Sequence, residues 1–379
     1  MPEYSVLPIR QIIVEVTQAC NHACVHCYNY WAGERAPVHA LGALSRFDIL
    51  RLVRSVQQTA AIEEVAFSGG EPLLRRDMAG MADDMVSNGL RPTVITNGRL
   101  LTDRLAQDFP PETLFELTLF SADAAVHDRI AGRSGAFSKV IEAAIAVHKR
   151  KCGLAISCVL NRMGLEGFER TLKLAIALGA DGIAINRVNL TEHTRSMADR
   201  LVPSVQELSQ VLMIADRMAR RARTHFAVSV PIPPCIVDPA PYRHLHFGWC
   251  PRGGPGAYYT IGYTGLVRPC NHSSAVLGDL KKQSFEAIVR SRRTSAFWAP
   301  VPPECRTCQH PLRDQCRGGC LAASRECYGS GARIDPFVGV CRRQSDAATH
   351  GVRSSVQRVD KHRRRSTKTV DSKRKAPDR

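Results

Sequence analysis

The 379-residue sequence predicts an α/β fold built on a parallel sheet. Apolar, β-rich runs alternate with longer amphipathic runs in six units roughly 30 residues apart, which is the rhythm of strand–helix repeats. Residues that carry chemistry fall at the C-terminal ends of the strand runs. That is where parallel sheets hold ligands, whether the sheet is open and doubly wound or rolled into a barrel. With 44% hydrophobic residues the chain can bury a core, which excludes wholesale disorder.

The elements read in order. "IIVEVT" (12–17) is a strand, and "SRFDILRLVRSVQQTA" (45–60) a helix with Phe47, Leu50, Val53 and Val56 at helical spacing. "EVAFS" (64–68) is a strand, followed by the helix "RDMAGMADDMVSNG" (76–89), which ends on a glycine. "TVITN" (93–97) is a strand with a short helix from Thr102, and "LFELTLFS" (114–121) a strand with the helix "SKVIEAAIAVHKR" (138–150). "LAISCVLN" (154–161), "GFERTLKLAIALG" (167–179) and "GIAINRV" (182–188) close the pattern as strand, helix and strand. Near Gly248 the texture changes to glycines, aromatics and short β-like pieces, and from Cys305 the chain is cysteine-dense. Such a segment builds little apolar core and calls for a metal to hold it. The expected division is a lead-in at 1–10, a core domain at 11–230, a linker at 231–244, a second domain at 245–345 and a tail at 346–379.

No apolar run approaches the roughly 20 residues that span a membrane, and "MPEYSVLPIR" has no signal-peptide core. The expectation is a cytoplasmic protein with no membrane partner. The formal charge is +17, but residues 351–379 hold eleven Lys/Arg against three Asp and so carry about half of the excess. That segment reads as a disordered basic tail; the alternative is an electrostatic hook for an acidic peptide, nucleic acid or anionic surface. The charge is therefore no sign in itself of a nucleic-acid partner.

Fourteen cysteines in a cytoplasmic chain point to metal ligands or catalytic thiols rather than disulfides. Cys20, Cys24 and Cys27 are spaced C-x3-C-x2-C after the first strand. Three thiolates without a fourth nearby suit an iron–sulfur cubane with one iron left open; zinc, with His22 or His26 joining, is the alternative. Gly69 and Gly70 let backbone approach a ligand closely, and Glu71 offers a carboxylate to an ammonium group. Cys152 and Cys158 read as core residues.

At these residues the sequence resembles the radical S-adenosylmethionine (SAM) superfamily. "CNHACVHC" is similar to its cluster loop, with the aromatic His26 before the last cysteine. "SGGEPLL" resembles the segment that meets the SAM amino group. "ITNG" (95–98), "LFSADAAVHDRIAGRSGAF" (119–137) and "LGADGIAINRV" (178–188) resemble the motifs of the third, fourth and sixth strands. The resemblance covers residues 11 to 230 and implies a partial (β/α)6 TIM barrel. It also implies a cluster held by Cys20, Cys24 and Cys27, and SAM contacts from His26, Gly69, Gly70, Glu71, Pro72, Asn97, Ser121 and Asn186. The reduced cluster would give SAM an electron, releasing methionine and a 5′-deoxyadenosyl radical that takes hydrogen from a substrate. A reductant such as flavodoxin or ferredoxin is then implied.

Cys250-x14-Gly265-x4-Cys270, Cys305-x2-Cys308-x7-Cys316-x3-Cys320 and a final Cys341 resemble the SPASM domain, which carries two auxiliary 4Fe–4S clusters in maturases of peptides and proteins. The resemblance assigns Cys250, Cys270 and Cys320 to the first auxiliary cluster and Cys305, Cys308, Cys316 and Cys341 to the second, making three 4Fe–4S clusters in all. Cys235 is the candidate fourth ligand of the first; without it, that cluster keeps an open iron. The seven residues between Cys308 and Cys316, where the family more often has five, put the loop's shape in question. Cys327 lies outside this pattern, as a spare structural thiol or a hydrogen-atom donor. The implied substrate is a peptide or protein, foremost a ribosomally made precursor peptide modified by crosslinking, epimerisation or excision. Residues 1–10 alone precede the first strand, so a separate leader-recognition protein, or direct reading of the leader by the second domain, is expected. The rival readings are a sulfatase-maturase-like enzyme, a haem-pathway or other small-molecule enzyme, and an iron–sulfur electron carrier.

Overall fold

The computed structural model describes residues 6–32, 40–254 and 256–344. The basic tail at 346–379 and the first five residues of the lead-in lie outside them. Strands β1 (Gln11–Thr17), β2 (Glu64–Gly69), β3 (Arg91–Thr96), β4 (Leu114–Thr118), β5 (Gly153–Leu160) and β6 (Gly182–Arg187) are the six runs expected from sequence. Each pairs in parallel with the next. Beyond β6 the sheet gains two short parallel strands, β7 (His225–Val228) and β8 (His246–Phe247). At the other edge β9 (Tyr258–Ile261) pairs in parallel with β1, and β10 (Leu266–Arg268) and β11 (Gly278–Asp279) follow antiparallel. The described sheet has eleven strands with β11 and β8 at its edges, so it is a partial barrel rather than a closed one.

The strands are buried on both faces, as parallel sheets under helices are. One face packs against the helices through Ile12, Val14, Val65, Phe67, Val94, Phe115, Leu117, Ile156, Cys158, Ile183 and Ile185, all in one continuous core. The helices Arg46–Gln57, Met78–Ser87, Asp103–Gln107, Ala136–Arg150 and Phe168–Ala177 are those the periodicity predicts. Ser45 starts the first with a capping box: its hydroxyl accepts from Asp48 N at 3.2 Å while its own N–H donates to the Asp48 carboxylate. The helix Val205–Ala219 is additional. Its buried Leu208, Val211, Leu212 and Ala215 carry a clear helical period that sequence reading should have caught.

The expectation that the chain after Cys305 builds little apolar core needs correcting. Leu321, Phe337, Val338 and Val340 join the same continuous core as the barrel strands. An ion pair buried on both sides fastens this segment to β6. Arg187 pairs with Asp335, its Nε donates to Pro231 O at 2.7 Å, and its guanidinium lies 4.5 Å from the Phe337 ring centre. Asp335 also accepts from Cys320 N at 2.8 Å. Among the described residues, no helix is long and apolar enough to cross a membrane.

Removing one member of a fully buried ion pair leaves the other uncompensated, at a cost of roughly 3–5 kcal/mol. Asp335→Ala should therefore lower the urea midpoint markedly. The double variant Arg187→Met/Asp335→Leu should recover part of the loss, because it removes both charges.

Candidate functional site

The second face of the strands lines a cavity of about 600 Å³. Its wall takes alternate residues from every core strand: Gln11 and Ile13, Glu64 and Ala66, Thr93 and Ile95, Glu116 and Thr118, Ser157 and Val159, Ala184 and Asn186. This is the two-residue strand period made visible. The floor is polar: Glu64 accepts from Gln11 at 2.7 Å and from Thr93 at 2.9 Å. Burial pushes the Glu116 carboxyl up, and a hydrogen bond from Ser157 offsets part of that shift.

Cys20, Cys24 and Cys27 line the rim beyond the end of β1. Burial raises the Cys24 thiol, and the neighbouring charges of Cys27 and Cys20 raise it further. His22 N donates to Cys20 Sγ at 3.5 Å, and Asn29 N–H donates to the Cys27 sulfur. The loop is set by backbone. Gly70 N donates to Thr17 O and Glu71 N to Ala19 O, both at 2.8 Å. A Cβ on Gly70 would lie 2.1 Å from Ala19 O, and one on Gly69, whose φ is +131°, 2.2 Å from Thr17 O. The glycine pair therefore admits the cysteine loop's own backbone, a closer partner than the ligand that sequence reading supposed.

Glu71 is buried and serves as a hub. Its carboxylate accepts from Leu73 N at 3.0 Å, Thr96 Oγ1 at 2.6 Å and Asn97 N at 2.9 Å. Three donors occupy three of about four acceptor positions, leaving one for a ligand. Asn97 Nδ2 donates to Asn21 Oδ1 at 2.7 Å, tying the end of β3 to the cysteine loop. Asn186 Nδ2 donates to Ser157 at 3.1 Å and its Oδ1 accepts from Val230 N, so its side chain braces β5 against the chain after β7. His26 is buried edge-on to Phe120, with ring centres 4.9 Å apart, and burial lowers its pKa to about 4.

Two expected contacts do not reach the cavity. Ser121 Oγ accepts from Asp123 N at 3.0 Å, where it shapes the turn into the next helix; Phe120 lines the wall instead. Pro72 opens a buried single-turn 3-10 helix and serves the backbone there.

Cys250, Cys270 and Cys320 line the same cavity. Burial raises all three thiols. The charges of Cys320 and Cys250 raise Cys270 further, and that of Cys250 raises Cys320. The two cysteine loops touch through residues that sequence reading passed over. Asn271 Nδ2 donates to Tyr28 Oη at 2.9 Å, the Tyr28 and His272 rings are 4.4 Å apart, and Tyr258 Oη donates to Asn271 Oδ1 at 3.3 Å. Tyr28 and Asn271 each directly follow a cysteine, which was the available signal.

Cys235, Cys305, Cys308 and Cys316 line a second, smaller cavity. Cys235 is thus separated from Cys250, Cys270 and Cys320, against the pairing considered from sequence. Cys341 is fully buried beside Arg187 and Glu207 and does not line that second cavity. Cys327, on the helix Leu321–Tyr328, is buried at a third cleft with Glu192, Arg195 and Glu326. Its thiol does not line the large cavity, so a hydrogen-donor role there is not supported. Cys152 and Cys158 are core residues.

Among the described residues, no three His, Cys, Asp or Glu side chains converge to hold a single metal ion. The thiols instead surround spaces in groups, with N–H donors turned toward sulfur. Grouped thiolates repel one another and lose hydration on burial, so a positively charged iron core divided among several irons fits these donor sets better than a lone ion does.

Comparison with known proteins agrees. The radical SAM superfamily model matches residues 14–175, and the iron–sulfur cluster-binding SPASM domain matches residues 250–309. Proteins named PqqA peptide cyclase are similar along most of the chain. That of Xanthomonas euvesicatoria is 28% identical over 353 residues, covering 89% of this chain and 88% of its own. That of Bradyrhizobium diazoefficiens is 24% identical, covering 86% and 84%. Among solved structures, Streptococcus suis SuiB bound to the precursor peptide SuiA superposes with a TM-score of 0.69 at 15% identity, covering 89% of this chain and 77% of that one. The structure of anSMEcpe with bound AdoMet superposes at 0.65 with 16% identity, covering 88% and 94%. At these identities the structural likeness establishes the fold.

Gly70→Ala should force Ala19 away. Hydrogen exchange at the Gly70 and Glu71 amides, slow in the parent chain, should then accelerate while the β4–β5 amides stay protected.

Proposed function

We propose that this chain, a radical SAM protein with a C-terminal SPASM domain, modifies a peptide, foremost a ribosomally made precursor peptide, by crosslinking, epimerisation or excision. The observation that carries the reading is one cavity of about 600 Å³ lined both by Cys20, Cys24 and Cys27 and by Cys250, Cys270 and Cys320. A carrier that only relays electrons has no use for a ligand-sized chamber shared by two such sites. The PqqA peptide cyclase relatives, similar along most of the chain, support a peptide as substrate.

In this reading Cys20, Cys24 and Cys27 hold the SAM-binding 4Fe–4S cluster, and the two SPASM cysteine groups hold one auxiliary cluster each, three in all. When bound and given one electron by a reductant, the cluster and SAM would supply hydrogen-abstraction chemistry, with methionine released. The chain's own residues do the positioning. Glu71, held by Leu73, Thr96 and Asn97, offers its remaining lone pair to the SAM ammonium at a fixed place. The Gly69–Gly70 backbone keeps that carboxylate in register with the cysteine loop. His26 remains a neutral ring against Phe120 and walls the site. Glu64, Thr93, Glu116 and Ser157 form a polar floor for a peptide side chain. We assign residues 11–230 to the core domain, 231–244 to the linker and 245–345 to the SPASM domain. A flavodoxin or ferredoxin is the proposed reductant, and a separate protein the proposed leader reader.

The anaerobically reconstituted, reduced protein should cleave SAM to 5′-deoxyadenosine. Cys20→Ala/Cys24→Ala/Cys27→Ala should abolish cleavage and lose about one third of the iron, one cluster of three. Wild-type protein with its full iron and sulfide that yields no 5′-deoxyadenosine contradicts the reading. Mass spectrometry of a peptide from a neighbouring gene, co-expressed with the enzyme, then identifies the modification. Loss of two hydrogen atoms marks a crosslink, deuterium uptake at constant composition marks epimerisation, and a larger loss marks excision.

A further inference from the structure

We propose that Cys235 is the fourth ligand of the outer auxiliary iron–sulfur site, completing the set begun by Cys305, Cys308 and Cys316. The proposal rests on the reading of the SPASM segment as cluster-binding and revises which thiols share a cluster.

The placement of Cys235 is built in. Residues 233–237 form a turn in which Pro233 O accepts from Ile236 N at 2.8 Å and from Val237 N at 3.3 Å. Ile232, Ile236 and Val237 are buried, which anchors the turn and leaves Cys235 exposed at its tip. The turn docks on the loop after Cys316. Arg317, Gly318 and Gly319 all have positive φ, at +46°, +96° and +85°. A Cβ on Gly319 would lie 3.0 Å from Pro233 Cγ and 2.8 Å from Asp335 Cβ, so only glycine lets the two segments meet there. The same left-handed loop is closed by Gly319 N donating to Cys316 O at 2.9 Å, which holds Cys316 against the turn that carries Cys235.

The four thiols line one cavity with Pro233, Pro234, His310, Arg313 and Gly318. Cys341 lies in the core outside this cavity. One consequence follows for the large chamber. Cys250, Cys270 and Cys320 remain there as a group of three, so a cluster on them has a position open to a substrate group rather than to a fourth protein thiol. A second consequence concerns electron flow, because the outer site sits where an exposed cysteine meets solvent and a redox partner can approach.

The exposure of Cys235 supplies a test that does not depend on turnover. The reconstituted protein is treated with iodoacetamide under anaerobic conditions, and alkylation of Cys235 is followed by peptide mass spectrometry before and after a chelator strips the iron. Cys235 should resist alkylation in the loaded protein and react readily once stripped. Equal rates in the two states overturn the proposal. Cys305→Ser should expose Cys235 to alkylation, whereas Cys250→Ala/Cys270→Ala/Cys320→Ala should leave it protected. The reverse pattern would move Cys235 to the chamber cluster and overturn the assignment. Absence of iron and sulfide from the wild-type protein would instead defeat the cluster reading itself.

Discussion

The site depends on one close backbone approach, that of Gly69–Gly70 against Thr17–Ala19. The contact leaves no room for a side chain. It fastens the loop bearing three cysteines to the loop bearing Glu71 through two main-chain hydrogen bonds. Glu71 then passes the constraint to the end of β3 through Thr96 and Asn97, and Asn97 returns it to the cysteine loop through Asn21. Thiols, carboxylate and amide thus form one rigid frame at the ends of neighbouring parallel strands. A frame of this kind suits chemistry that needs its partners placed before reaction.

The second constraint is the pairing of β9 with β1. It brings a cysteine group that lies more than two hundred residues downstream to the rim of the same cavity. Tyr28 and Asn271 join the two loops directly. The buried Arg187–Asp335 pair does the same work at the other edge, linking β6 to the backbone of Cys320. The C-terminal segment is held to the barrel by apolar packing, strand pairing and charge together, so metal is not the sole support that its composition suggested.

The six strands were legible because their apolar runs are short, β-rich and regularly spaced, and the cysteine loop and Gly-Gly-Glu segment were legible because they follow strands. Local sequence could not show which residues meet at long range. Cys235 stands alone in the sequence, and its neighbours are set by a turn docking on a loop some eighty residues away. Ser121 and Pro72 sat in suggestive motifs, yet one shapes a turn and the other starts a 3-10 helix. Cys327 looked available as a donor until the direction of its helix put it at another cleft. The helix Val205–Ala219 was within reach of sequence reading, since its period is intact.

The central claim is spatial: two cysteine groups line one cavity, and a third group lines a separate, smaller one. Anomalous diffraction at the iron edge, from crystals of the anaerobically loaded protein, tests it most directly. The account predicts three iron centres: one at Cys20, Cys24 and Cys27, one on the same cavity at Cys250, Cys270 and Cys320, and one at Cys235, Cys305, Cys308 and Cys316. Iron absent from either cysteine group of the large cavity, or single ions in place of clusters, would contradict it.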